Sequence, residues 1–335
     1  MKPSPIRTFA AMALAAVLAV GCNKSEQSNS AAGGGDNGKK TIVIGLIGKS
    51  QSNPVFQAAR VGAEDAAKEL GDKYNANIQI SWQTPADEDA QKQAEAIDAL
   101  QRQGASGISV SCSEAGTVTP AINRAVDAGT VVMCFDSDAP KSKRFCYYGT
   151  DDTDCGKAVI GELAKVMDNK GNIAILAGNQ SAPNLQARAQ AVRDEVANNY
   201  KDMKIIDTVY HKETPADALE AVKTFQNTHP EVQGWAMVGG WPLFTKSPLP
   251  WPAGSVKVVS VDALPEQLDY LKSGQVQVLL AQDCYGWGHK SVEILMEKIV
   301  NKKDPSSEKI ISPLTKVTKD NADEYGKNWD KWIKK

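Results

Sequence analysis

Two kinds of apolar spacing alternate along the chain. Short runs are apolar at every position, and longer runs carry apolar residues three and four apart. Ile42-Val43-Ile44-Gly45-Leu46-Ile47 is of the first kind and β-branched, the pattern of a strand covered on both faces. A polar loop, Lys49 to Asn53, leads to Pro54, which stands where a first helical residue belongs, behind an Asn able to cap it. The helical spacing then runs through Ala58, Val61, Ala63 and Ala66 to Gly71. Strands are predicted at 41–47, 77–83, 107–111 and 130–135, and helices at 54–70, 87–103 and 116–128. In the second helix Glu88, Gln91, Glu95, Asp98 and Arg102 mark the wet face, and Ala90, Ala94, Ile97 and Leu100 the core face.

The cycle then restarts. Strands are predicted at 146–149, 172–177, 204–210, 233–238 and 256–261, with helices at 153–168, 184–199, 216–227 and 265–273. A strand at 276–281, a helix at 286–300, a short strand near 310–315 and a C-terminal helix ending in Trp329 and Trp332 complete the chain. The two tryptophans are expected to pack as an anchor. Strand–helix alternation in two blocks of similar size predicts an α/β fold: two doubly wound parallel sheets, Rossmann-like, around a cleft. Open α/β sheets bind ligands at the carboxyl ends of their strands, so those ends hold the candidate site residues.

Composition narrows the class. The chain has 335 residues, 42% hydrophobic and 23% charged, with a formal net charge of −2, as expected of a globular protein of about two domains. It shows no basic stripe, so no nucleic-acid partner is expected. Lys2 and Arg7 precede an apolar run, Phe9 to Val20, that is long enough for a signal peptide and too short to span a bilayer. That run ends Ala19-Val20-Gly21-Cys22, which resembles a bacterial lipobox with Cys22 as the lipidated first mature residue. Residues 23–39, rich in Ser, Asn and Gly, are expected to be a flexible tether. Five further cysteines, Cys112, Cys134, Cys146, Cys155 and Cys284, lack metal-ligand spacing, and their odd number leaves at least one free thiol.

Enzyme chemistry finds little support. Gly48-Lys49-Ser50 looks like the tail of a phosphate-binding loop, but the glycine required at position 43 is Val43. No dinucleotide fingerprint follows a strand, and His211, His229 and His289 are scattered with no nucleophile–base pair. The predicted strand ends instead carry planar hydrogen-bonding side chains: Asp136 and Asp138, Asn184 and Arg188 one turn apart, Asp262 and Gln282. Such groups suit the adjacent hydroxyls of a small polyol, with Phe56 and Trp241 as flat faces for sugar C–H groups. No catalytic residue, metal or cofactor is expected.

Several motifs together resemble one family. They are Ile44-Gly45-Leu46-Ile47-Gly48-Lys49-Ser50-Gln51-Ser52-Asn53-Pro54-Val55-Phe56, Val132-Met133-Cys134-Phe135-Asp136-Ser137-Asp138, Tyr148-Gly149-Thr150-Asp151-Asp152, Asn184-x-x-x-Arg188, His229-Pro230-Glu231-Val232-Gln233-Gly234, Val261-Asp262 and Ala281-Gln282. In order, from about Thr41 to about Thr318, they are similar to substrate-binding proteins of bacterial sugar ABC transporters, the ribose-binding group of type I periplasmic binding proteins. The resemblance implies an exported, lipid-anchored, monomeric solute receptor that closes two lobes on a sugar and presents it to a membrane permease. It places ligand contacts on Asn53, Phe56, Asp136, Arg188, Asp262 and Gln282, with Lys49, Ser137, Asp138, Asn184 and Trp241 as further candidates. It implies an N-terminal lobe of 41–149 plus 283–312, a C-terminal lobe of 150–282 plus 313–320, and a terminal helix at 321–335, with 1–21 as signal and 22–40 as tether.

Departures from the ribose pattern point away from ribose itself: Gly239-Gly240-Trp241 replaces a polar residue, Ser137 an arginine, and Val55 an aromatic. Lys49 and the Asp-Ser-Asp run resemble the autoinducer-2 and rhamnose branch. Two other classes share this lobe fold. One is a ligand receptor for a chemoreceptor or sensor kinase. The other is a LacI-type regulator, which would need a helix-turn-helix where this chain has its leader and tether. The sugar-receptor expectation predicts that Asp262→Ala or Arg188→Ala abolishes ligand-induced thermal stabilisation with the fold intact; unchanged stabilisation in both would contradict the site.

Overall fold

The computed structural model describes residues 39–333. The expected signal peptide 1–21, the lipidation site Cys22 and nearly all of the tether lie outside the described residues, and Lys40 already opens the first strand.

Strand β1 (Lys40–Ile47) is the second strand of a six-stranded parallel sheet. It lies between β2 (Ala76–Trp82) and β3 (Gly107–Val110), followed by β4 (Val131–Phe135), β5 (Cys146–Gly149) and β11 (Lys309–Ile311). The period of two along each strand sorts side chains into two apolar layers. Ile42, Ile44 and Leu46 of β1, with Met133 and Phe135 of β4, join one core beside α1 (Pro54–Lys73) and α8 (Cys284–Asn301). Val43 and Ile47, with Val132 and Cys134, join the other, beside α2 (Ala90–Arg102) and α3 (Ala115–Asp127).

The second sheet repeats the plan with β7 (Asp202–Val209), β6 (Lys170–Leu176), β8 (Gly234–Met237), β9 (Lys257–Val261), β10 (Val278–Ala281) and β12 (Thr315–Val317). Only β12 runs antiparallel. Its helices are α4 (Asp152–Val166), α5 (Pro183–Asn199), α6 (Pro215–Thr228) and α7 (Pro265–Ser273). The chain therefore crosses between sheets three times: after β5, after β10, and between β11 and β12.

The single short strand expected near 310–315 is two strands, one in each sheet. Pro313 has no N–H to give to a ladder and separates them, while the Ser312 N–H still donates to the Gly149 carbonyl at 2.8 Å. The stretch 239–251 contains a 3-10 turn, Trp241–Leu243, and most of its apolar residues are packed: Leu243, Leu249 and Trp251 join the core beside Trp235. The last helix, α9 (Ala322–Trp332), lies against both lobes. The Trp329 indole N–H donates to the Ala263 carbonyl at 2.7 Å, and Trp332 stacks on Tyr285 of α8 at 6.0 Å. All five described cysteines are buried free thiols. No helix among the described residues is long and apolar enough to cross a membrane.

Helices α1 and α8 touch through glycine. A Cβ at Gly288 would stand 1.7 Å from the Ala59 carbonyl oxygen, and one at Gly62 would stand 2.1 Å from that of Tyr285. Backbone cannot yield as a flexible side chain can, so Gly288→Ala is expected to destabilise the protein by about 3 kcal/mol, near the upper end for overpacking. Urea unfolding would show this as a lower midpoint with unchanged slope; a loss below about 0.5 kcal/mol would mean that the helices separate freely.

Candidate functional site

The carboxyl ends of both sheets face one cavity. It is lined from the first lobe by Lys49, Asn53, Val55, Phe56, Asp136 and Trp287, and from the second by Asn184, Leu185, Arg188, Glu213, Gly239, Trp241, Asp262 and Gln282. The space these residues surround is about 30 Å³, enough for about one to three water molecules, so the lobes must part somewhat to admit even a monosaccharide.

Arg188 orders the second-lobe wall. It is 2% exposed, and its guanidinium is shared among three elements. Nε donates to Asp152 Oδ1 at 2.8 Å, Nη1 to the Val238 carbonyl at 3.2 Å, and Nη2 to Gln282 Oε1 at 2.8 Å. Gln282 passes the order on: its amide donates to Asp262 Oδ1 at 2.9 Å, while Oε1 also accepts the Thr150 hydroxyl at 3.0 Å. Asp262 sits at φ 69°, a left-handed turn that Asp tolerates, at the exit of β9. Burial pushes the Asp262 and Asp152 carboxyls up to about 6, against the pull of Gln282 and Arg188 on the first and of Arg188 on the second.

The first-lobe wall has a counterpart. Asp136 leaves β4 at φ 55°, and its Oδ2 accepts the Ser111 hydroxyl at 2.7 Å. The Tyr147 hydroxyl holds that turn by donating to the Asp136 carbonyl at 2.9 Å. Phe56 lies edge-on to Phe135 at 6.3 Å and beside Trp287 at 6.1 Å. Asn53 lines the cavity but also caps α1, its Oδ1 accepting the Val55 N–H at 3.2 Å.

Lys49 crosses the cleft. Its ammonium donates to Asn184 Oδ1 at 3.3 Å and lies 3.7 Å from Glu213 Oε1, with both side chains almost fully buried. Burial disfavours the charged lysine, yet Glu213, Glu88 and Asp136 together outweigh it and hold its pKa above the ordinary value. Burial pushes Glu213 the other way, up to about 7.

Nine of the eleven expected site residues meet at this cavity. Ser137 and Asp138 do not. Asp138 turns away to Arg144, whose Nη2 donates to Oδ2 at 2.7 Å and whose Nε donates to Oδ1, while Nη1 reaches Glu308 at 2.8 Å. A second buried cation thus claims the second Asp of the Asp-Ser-Asp run, and Ser137 between them is wholly buried outside the cavity lining. The glycine in place of a polar residue at 239 also has a cause: a Cβ there would stand 2.2 Å from the Trp241 ring, which folds back over it. Glu213 and Trp287 were not expected in the site. Glu213 follows a strand end, the one signal that could have flagged it; Trp287 reaches the cavity from the first turn of α8, which no strand-end rule covers.

Comparison with known proteins gives the same picture. A family model described as "Periplasmic binding protein domain" matches residues 44–303. The chain is 24% identical over 193 residues to a D-apiose import binding protein of Paraburkholderia graminis, covering 57% of this chain and 59% of that one. It is 24% identical over 245 residues to a D-ribose/D-allose-binding protein of Pseudomonas aeruginosa, covering 70% and 74%. The chain spans about three-fifths of the length of the D-apiose relatives it matches. Among solved structures, an ABC transporter solute-binding protein from Burkholderia graminis, in complex with D-arabinose, superposes with TM-score 0.78 at 27% identity, over 84% of this chain and 96% of that one. The family model covers well over half of the chain and both lobes carry the expected sheets, so this protein belongs to the periplasmic binding protein family, with the type I two-lobe fold.

Proposed function

We propose that this protein is an extracytoplasmic receptor that binds a small sugar between its lobes and delivers it to an ABC transporter permease, without chemistry of its own. The observation that carries this is the lining of the cavity. Three carboxylates, from both lobes, share the lining with aromatic rings and a guanidinium that is already ordered by its neighbours. Carboxylates, amides and a guanidinium accept and give hydrogen bonds in a plane, as adjacent hydroxyls require, and Phe56 and Trp241 offer apolar faces. The solved relative bound to D-arabinose and the relative named for D-apiose import support the same ligand class. Closure on the ligand buries it and brings the lobes into the one arrangement a permease would recognise; the ligand shifts that equilibrium by its differential affinity for the closed form. Anchoring through a lipid on Cys22, and action as a monomer, belong to the same proposal.

The test is thermal stabilisation by a panel of pentoses, hexoses, deoxyhexoses and autoinducer-2. At least one sugar is expected to raise the melting temperature; a panel that leaves it unmoved overturns the reading. Asp262→Asn, which keeps shape and removes an acceptor, is expected to abolish that rise while leaving the ligand-free protein folded. Arg188→Ala is now expected to behave otherwise than its sequence neighbourhood suggested. It leaves the mostly buried Asp152 without its partner, and Val238 and Gln282 without a donor, and should cost about 3 kcal/mol of stability, read in the same melts.

The buried carboxylates also predict a pH trend. Glu213 lies at about 7 in the folded protein against 4.5 ordinarily, so between these values the folded state binds more protons than the unfolded one. Its contribution to stability therefore falls as pH rises from about 4.5 to about 7. Glu213→Gln is expected to gain stability relative to wild type at pH 8 and not at pH 4, measured by urea unfolding at both; an equal difference at the two values would refute the shift.

A further inference from the structure

Two polar atoms on the cavity's lining residues have no hydrogen-bond partner: Glu213 Oε1 and Trp287 Nε1. One is an acceptor from the second lobe and the other a donor from the first. Buried polar groups are nearly always paired, and an unpaired one costs about 1–3 kcal/mol, so two on residues that line one cavity call for a cause. The side chain of Glu213 is 7% exposed, and Lys49, at 3.7 Å from Oε1, is within ion-pair range but beyond a hydrogen bond. Glu213 also lines a neighbouring, larger cavity of about 880 Å³, and so stands between the two. Trp287 is 1% exposed and held among Phe56 and Phe135, so its ring cannot swing out to find water.

We propose that Glu213 and Trp287 determine ligand specificity. The carboxylate accepts a hydrogen bond from a ligand hydroxyl at the second-lobe wall, the indole N–H donates to a ligand oxygen at the first-lobe wall, and the ligand they select is an uncharged polyol. This rests on the sugar-receptor reading above. The charge inventory supports the neutral ligand. Asp136 and Asp262 line the cavity with Glu213, and each engages one carboxylate oxygen with a neighbouring side chain. Arg188 is held by Asp152, Gln282 and Val238, and Lys49 by Asn184 and Glu213. Three carboxylates line the cavity against two cations that already have partners, so an acidic sugar would bring a fourth anion with no unengaged cation to meet it. A hydroxyl can both give and accept, and meets either orphan. A site that must hydrogen-bond a hydroxyl rejects the analogue lacking it far more strongly than a hydrophobic pocket rejects a missing methylene.

Calorimetry on the full chain tests this with D-arabinose, D-ribose, D-xylose, L-rhamnose, myo-inositol and D-glucuronate, followed by the monodeoxy analogues of whichever neutral compound binds best. Glu213→Gln, which keeps the shape of the side chain, and Trp287→Phe, which keeps an aromatic ring and removes the N–H, are each expected to weaken that parent compound about tenfold or more. The penalty from each variant should vanish for one deoxy analogue, different for the two variants, and persist for the others, which a general loss of packing or of folded protein cannot mimic. A penalty below twofold, or one equal across all analogues, overturns the assignment while leaving the sugar-receptor reading in place. Tighter binding of D-glucuronate than of every neutral compound overturns the neutral-ligand claim. If nothing in the panel binds the wild-type protein, the sugar-receptor reading fails and this assignment fails with it.

Discussion

A guanidinium in a protein interior must have its donors met, because charge without partners is too costly to bury. Arg188 meets that requirement by gathering the start of α4, the end of β8 and the end of β10 around one side chain. The helices that carry it are pressed together to allow this: a Cβ at Gly156 of α4 would lie 2.2 Å from the Arg188 carbonyl oxygen. Once Arg188 is placed, Gln282 has only one orientation that satisfies both it and Thr150, and Gln282 in turn sets Asp262. A whole wall of the cleft thus follows from one buried charge. That is also why Arg188 is poorly described as a ligand contact alone. Its first task is to hold together the surface the ligand meets.

The first lobe sets its own carboxylate without a guanidinium in the cavity wall; its cation there is Lys49. Asp136 and Asp262 leave equivalent strands in left-handed turns, which bring a carboxylate out over the sheet end at a small conformational cost. In the first lobe the turn is braced from behind. Tyr147 grips its carbonyl, and Arg144 clamps Asp138 and Glu308 together beneath it. The two lobes then meet through Lys49, which reaches across to Asn184 and Glu213. A buried ion pair of this kind adds little net stability, since desolvation offsets its attraction. Its consequence is directional: the pairing exists only when the lobes are together, so it favours one arrangement of the cleft.

Much of this was written in local pattern. Most strands and helices of the two sheets follow from apolar spacing; the division of 310–315 into β11 and β12 does not. Pro54, Pro183, Pro215 and Pro265 each stand at a first helical position, and Asn53 and Thr214 cap as their types suggest. The cleft residues at strand ends were legible for the same reason, because the fold class dictates where such ends point. Only packing could decide the rest. Whether Asp138 or Asp136 faces the cavity depends on Arg144, six residues beyond Asp138 and on the far side of a loop. Whether Trp241 or Trp251 lines the site depends on which ring covers Gly239 and which stacks on Trp235. Trp287 carries no local mark, and Glu213 only its place after a strand end. Their place in the site, like the approach of Lys49 to Asn184 from 135 positions away in the chain, depends on the meeting of the two lobes. Periodicity, caps and strand ends are short-range and were fixed by the sequence alone, while the partners of each charge were settled by distances that exist only after the two lobes have folded and met.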